Sequence, residues 1–328
     1  MTATANVTMP AGATPPASPR DARVKKRRRG RFGDRVLPYL LLLPALVAIL
    51  VLLAWPLVQV LAISFRKLDI GQLISGKTVW IGFDNYTNTL ADPEFWTITV
   101  RTLIFTASIV AATILGGLLL SVLMRHLDPV VRIILQVTLV LAWATPVIAT
   151  TTVFQWIFDE QYGILNKTLD RLGFHSFIGF SWFSSGPSTL TVIGLLIVWQ
   201  AVPFVTFSLY AGLIGVPREQ YEAAGIDGAS AWQTFRAVTW PAIRPITTMV
   251  TFLSVLWDFN AFAQIWAIRE GGPDGGSTTL AVVLYLKGIA GNHFGAAGAI
   301  ATLMLIVLAL ITGRYIQLLV RTPEGDLK

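Results

Sequence analysis

Residues 36–65 read VLPYLLLLPALVAILVLLAWPLVQVLAISF, thirty positions without a charged side chain, bounded by Arg35 and Arg66. A helix needs about 20 consecutive apolar residues to cross a bilayer, whereas a transmembrane barrel strand offers about ten residues of alternating polarity. The stretch is therefore read as a spanning helix. It also exceeds the roughly 7–15 apolar residues of a cleaved signal segment, so it is expected to stay in the mature chain as the first span.

The composition agrees along the whole length. Of 328 residues, 54% are hydrophobic and 13% charged, against about 25% charged in an ordinary soluble domain. Such a chain must pair its backbone groups within lipid, which predicts an all-α polytopic membrane protein. With charges as punctuation, six spans emerge at about 36–64, 102–124, 133–158, 189–214, 245–268 and 295–314. Placing both termini inside leaves 17 Lys and Arg on the cytoplasmic segments and 8 on the outer ones, the asymmetry that fixes orientation in membranes. An N-in, C-in topology follows.

Residues 1–35 form a tail of two parts. Residues 1–19 are rich in Thr, Ala and Pro and carry no charge, so disorder is expected. From Arg20 to Arg35 the chain concentrates nine of its 25 Lys and Arg directly before the first span. A basic cluster in that position addresses anionic lipid headgroups rather than nucleic acid.

Several chemistries are excluded. No cysteine is present, which removes disulfides and thiolate sites. The three histidines, His126, His175 and His293, are far apart and in no metal-binding spacing, so neither metal nor cofactor is expected. The glycine-rich GGPDGGS at 271–277 lacks the Lys of a phosphate loop and reads as a turn outside the membrane. ATP hydrolysis must belong to another subunit if it is involved at all. Asp92-Pro93 marks a helix start, read as an interfacial helix feeding the second span, with Trp96 at interface depth.

The longest inner loop, residues 215–244, reads GVPREQYEAAGIDGASAWQTFRAVTWPAIR. Pro217 suits a first helical turn and Gly225 a stop, while Asp227 is placed to cap a second short helix from 228 to 239 that Pro241 ends. Two short helices with a glycine elbow result. Their apolar residues, among them Tyr221, Ile226, Trp232 and Phe235, are too few to cross a membrane and too many for a solvated linker. Either another protein covers them or they pack back on the chain's own spans.

Glu222-Ala223-Ala224, three residues, Gly228, nine residues, Val238, one residue and Trp240-Pro241 resemble the EAA loop of ABC importer permeases. Val and Trp stand where that pattern has Ile and Leu. The wider YEAAGIDGASAWQTFRAVTWPAIRP is similar to the carbohydrate uptake type 1 subfamily, and the likeness extends over most of the chain beyond residue 35. The resemblance implies the type I importer permease fold with the loop seated in a cleft of a cytoplasmic ATPase. Glu222 would contact that subunit, Ala223 and Ala224 would permit close approach, Gly228 would let the elbow bend, and Pro241 would close the loop. It further implies a second homologous permease, two ATPase subunits and an extracytoplasmic sugar-binding protein as partners.

Asp258 is the one acid inside a span. Even the lenient insertion scale charges about 2.5–3.5 kcal/mol for it, so it must face a cavity or a partner. Trp257, Asn260 and Gln264 fall on one face of a continuous helix and, with Asp258, offer the aromatic faces and polar groups that a sugar requires. The competing reading is that Asp258 and Asn260 bond a neighbouring helix. Gln200 beside Trp199 and Gln155 beside Trp156 are weaker candidates, and Trp156 suits an interface anchor equally well. A disaccharide or short oligosaccharide is the expected cargo. Glycerol 3-phosphate, a monosaccharide, an amino acid or a peptide fits the same loop, and an ion-coupled transporter with Asp258 as its sole coupling acid is the rival class.

Overall fold

A computed structural model describes residues 33–321 of the chain, which fall into two units divided between Pro56 and Leu57. The described part of the tail at 1–35 is too short to bear on its expected disorder, and residues 1–32 lie outside it. In the first unit, helix α1 (Gly33–Ile49) passes into a widened π turn at Leu50–Ala54. Its apolar side chains, such as Leu41 and Leu52, are exposed, as a lipid-facing helix requires.

The second unit opens with α2 (Trp55–Ser64), the end of the first span, most of which it contains. The chain then forms a small cap from β1 (Arg66–Lys67), α3 (Ile70–Ser75), β2 (Val79–Trp80) and α4 (Asp84–Ala91), with the two strands antiparallel. Asn85 ties this cap down by donating to the carbonyls of Ser64 and Arg66. Helix α5 (Pro93–His126) starts where Asp92-Pro93 predicts, with the Asp92 carboxylate accepting from the Glu94 amide at 2.9 Å. The helix that begins at Asp92-Pro93 is not a separate piece but the span itself: α5 is one uninterrupted helix of 34 residues, with the short α4 just before it.

The expected third span is two helices. Thr145 is extended, as a residue before proline must be, and α6 (Pro129–Ala144) and α7 (Val147–Ile157) meet at 102° across Thr145-Pro146. After α8 (Ile164–Arg171), α9 (Gly186–Ile214) runs the length of the unit. Beyond it lie α10 (Arg218–Ile226), α11 (Ala231–Thr234), a π turn at Phe235–Thr239, α12 (Trp240–Phe259), α13 (Ala263–Arg269), α14 (Leu280–Tyr285) with its own π turn, and α15 (Phe294–Arg321). Among the described residues, four helices are long and apolar enough to cross a membrane outright. Two bent pairs, α6 with α7 and residues 231–259 with α13, make six if each counts as one span.

The core forms where α5 and α9 cross. At Gly117 a Cβ would come 2.5 Å from Val205 Cγ1, so glycine alone allows the approach. Around this crossing, Phe105, Ile109, Ile193, Leu196, Ile265 and Val282 make one buried cluster, and Phe95, Ile98, Phe259, Leu280, Ile300 and Met304 make a second. Leu280 and Val282 belong to α14, in the region read from sequence as outer loop. That segment is an apolar helix of the core, started by Thr102 Oγ1, which accepts from the Leu280 amide at 3.0 Å. The GGPDGGS turn itself is as expected: Gly271, Asp274 and Gly275 take positive φ, and Arg101 holds the loop through the carbonyls of Gly275 and Thr278.

Candidate functional site

The elbow is built by a helix ending. Helix α10 runs through Gly225 to Ile226, one residue past the expected stop, because the left-handed residue is Gly228 at φ +72°. The Ala229 amide donates to the Ala224 carbonyl at 2.9 Å and the Gly228 amide to Gly225 at 3.1 Å. This pair of bonds satisfies the last carbonyls of α10 and turns the chain, at a φ that glycine adopts without strain. Gly228 is thus the hinge of the elbow in geometry.

The second helix departs from expectation at both ends. Ser230, not Asp227, caps it: Ser230 Oγ accepts from the Gln233 amide, and Gln233 Oε1 accepts from the Ser230 amide at 2.7 Å. Pro241 does not end it either. The helix continues from Ala231 to Phe259 because the π turn moves the bond of the Trp240 amide back to Phe235. A proline removes the i to i−4 bond and crowds that carbonyl, and a widened turn just before it makes room. The elbow is therefore welded to α12 rather than jointed at Pro241.

A second attachment joins the elbow to α5. Arg125, near the end of α5, lies 3.4 Å over the ring of Tyr221, whose hydroxyl is 3.3 Å from Thr239 Oγ1. The opposite faces are bare: Ile226 is 87% exposed and Trp232 69%, with Trp232 stacked on Phe235. Tyr221 packs back on the spans, while Ile226 and Trp232 present apolar surface outward. Glu222 and Ala223 are exposed beside them.

Within the spans the candidate residues separate. Trp257 and Asp258 sit on the last turn of α12, but the helix breaks at Asn260 and bends by 40° into α13. Trp257, Asn260 and Gln264 therefore do not share one continuous face. Asn260 Nδ2 donates to its own Leu256 carbonyl at 2.8 Å, a local cap of the kind that amide side chains supply at helix ends. Trp257 is exposed with its edge on Phe204, while Asp258 is buried at 7% exposure, and its Oδ2 has no partner among the described residues. Gln264 and Gln200 do come together, Nε2 to Oε1 at 3.4 Å. Gln155 instead donates to the carbonyls of Ala267 and Ile268 and ties α7 to the end of α13. Trp199 and Trp156 remain largely exposed.

Sequence reasoning missed a folded knob at 158–182. Asn166 donates to the carbonyls of Glu160 and Phe180 and accepts from Trp182 Nε1 at 2.8 Å, with Phe158, Phe177 and Phe180 packed on that indole. The signal was the aromatic density of FHSFIGFSWF at 174–183 within a segment otherwise rich in Gly and Ser.

Residues 114–323, which contain the elbow and the broken fifth span, match the family described as binding-protein-dependent transport system inner membrane component. The chain belongs to this family. It is a permease subunit of an ABC transporter, a multi-pass inner-membrane protein that works with a binding protein and is not itself an ATPase. The permease is 44% identical to the diacetylchitobiose uptake system permease protein DasB of Streptomyces coelicolor, over 95% of this chain and 98% of that one. It is 30% identical to the sulfoquinovosyl glycerol transport system permease protein SmoG of Agrobacterium fabrum, over 89% and 93%. Among solved structures it is similar in fold to a chain of a bacterial alginate ABC transporter bound to a periplasmic protein carrying alginate pentasaccharide. That match has TM-score 0.74 and 18% identity and covers 87% of this chain and 96% of the other.

Proposed function

We propose that this permease carries a disaccharide or short oligosaccharide inward, within a complex of one homologous permease, two ATPase subunits and an extracytoplasmic sugar-binding protein. The observation that carries the cargo assignment is the 44% identity, along nearly the whole chain, to a permease named for diacetylchitobiose uptake. The polar groups of the broken fifth span support it. A sugar leaving water needs partners for its hydroxyls, and the unpaired Oδ2 of Asp258 and the long Gln200–Gln264 contact are polar groups with capacity to spare.

In this reading the exposed face of the elbow seats in the ATPase. Ile226 and Trp232 are the apolar anchors, Glu222 makes the charged contact, and Ala223 and Ala224 let the backbones approach. Closure of the ATPase pair then pushes on a lever that is continuous with α12, because no joint interrupts the helix between Ala231 and Phe259. The far end of that lever is the break at Asn260, beside Asp258. Movement at the elbow thereby reaches the polar groups without a separate transmission element. Both termini and the elbow lie on the cytoplasmic side.

Uptake of radiolabelled sugars by cells with and without this subunit tests the reading. Loss of diacetylchitobiose or a related β-linked disaccharide from the transported set is the expected result. Unchanged uptake of every sugar, with loss of an amino acid or peptide instead, would overturn it.

A further inference from the structure

At the base of the elbow, where α5, α6, α9 and α10 meet, lies a cavity of about 430 Å³. Three guanidinium side chains line it, Arg125, Arg132 and Arg218, with Tyr210 and Tyr221, and a single carboxylate, Glu222. Among the described residues none of the three arginines has a carboxylate within 4 Å, since the ion pairs there involve only His175 and His293. Arg132 spends one N–H on the carbonyl of Leu127 at 2.7 Å, and its Nε is buried without a partner. Arg125 is fixed by its stack on Tyr221, which covers a face of the guanidinium and leaves its in-plane N–H groups for an acceptor.

Three guanidinium groups facing one carboxylate, with no ion pair formed, leave a net positive cavity that favours a further anion. Planar guanidinium forks match the paired oxygens of a phosphate as they do those of a carboxylate, and a phosphate offers a further oxygen to a third guanidinium. The surroundings indicate where that phosphate comes from. The cavity opens beside the ends of apolar helices whose side chains face outward, with Ile214 exposed at 64%, Val130 at 69% and Ile133 at 58%. A ligand here has its anionic group among the arginines and apolar surface running away from it along α6 and α9.

We propose that Arg125, Arg132 and Arg218 form a headgroup site for an anionic phospholipid, with the phosphate held between the guanidinium groups and the acyl chains lying along α6 and α9. The site joins the first turn of α10 to the ends of three other helices. An occupied site therefore stiffens the base of the elbow, and an empty one leaves three like charges in mutual repulsion. The lipid site itself stands whether or not the cargo is a sugar.

The test uses the complete transporter purified from its membrane and reconstituted in discs of phosphatidylethanolamine with or without phosphatidylglycerol. Native mass spectrometry counts the retained lipids. The wild type is expected to retain phosphatidylglycerol in preference to phosphatidylethanolamine. Each of Arg125→Gln, Arg132→Gln and Arg218→Gln should weaken that retention about fivefold, the usual contribution of one basic residue at an anionic membrane surface. The matching Arg→Lys variants keep the charge and should keep most of the preference, which separates loss of the site from loss of the fold. An undiminished preference in the Gln variants would overturn the assignment. So would tight binding of inorganic phosphate by lipid-free transporter in detergent that the same variants abolish, because the site would then serve a soluble anion.

Discussion

Arg125 and Tyr221 lie in cation–π contact, guanidinium over ring at 3.4 Å, and this contact joins the elbow to the longest helix of the bundle. At the opposite end of the same helix, Arg101 donates to the carbonyls of Gly275 and Thr278. The 24 residue steps from Arg101 to Arg125 span about 36 Å at 1.5 Å per residue. Helix α5 is thus pinned at both ends by arginine, to the elbow on one side and to the glycine-rich turn on the other. A contact of this kind is worth about 0.5–2 kcal/mol, enough to bias a moving element without locking it.

In the proposed coupling, Glu222→Lys reverses the charge presented to the ATPase, at an exposed position of α10. The variant should insert and assemble normally, yet uptake should fall at least about tenfold, equivalent to about 1.4 kcal/mol of lost coupling, while basal ATP hydrolysis persists. Parallel assays of hydrolysis and uptake in vesicles measure this, and normal uptake would remove Glu222 from the coupling contact.

Asp258→Asn retains shape while replacing a buried carboxyl, whose Oδ2 is unpaired among the described residues, with an amide. Transport should drop by about tenfold or more, about 1.4 kcal/mol, with the amount of assembled complex unchanged. A variant that assembles poorly but transports normally per assembled complex would show instead that Asp258 serves a neighbouring helix.

Gly117→Ala places a methyl group 2.5 Å from Val205 Cγ1 and 2.8 Å from its Cβ at the crossing of α5 and α9. Overpacking of this kind costs about 1–3 kcal/mol, so thermal unfolding in detergent should shift downward. Val205→Ala in the same chain should recover part of the loss, and a Gly117→Ala variant as stable as the wild type would mean that the helices are not so closely apposed.

The absence of cysteine gives a clean background for topology. A single cysteine replacing Lys77 should react with an impermeant maleimide on intact cells, and one replacing Arg236 only after permeabilisation. The reverse pattern would invert the protein in the membrane.

The parts of the fold legible in the sequence are those set by long uniform signals. Thirty uncharged residues and Asp92-Pro93 each follow from one strong local preference, whereas with two glycines three residues apart the expected stop is Gly225 and the left-handed residue is Gly228. The breaks at Thr145-Pro146 and Asn260 were less legible, because apolar composition continues straight across them and hydropathy does not register direction. Pro241 misled for a related reason: its effect on a helix depends on whether the preceding turn can widen, and Phe235–Thr239 does so. The same limit divided the candidate site. The elbow residues lie on a local motif contiguous in sequence, whereas the one-face alignment of Trp257, Asn260 and Gln264 assumed a straight helix that tertiary packing bends. The pairing of Gln264 with Gln200, 64 positions apart, had no local signature at all.

In the proposed mechanism, ATP-driven closure of a partner subunit, delivered through the elbow, opens and closes the path for a sugar. Accumulation of radiolabelled diacetylchitobiose in vesicles holding the complete transporter and its binding protein measures it directly, with ATP either supplied to the ATPase side or removed by an enzymatic trap. Uphill accumulation only with ATP present, abolished by Glu222→Lys, is the predicted result. Uphill accumulation that continues after ATP is exhausted would contradict the account.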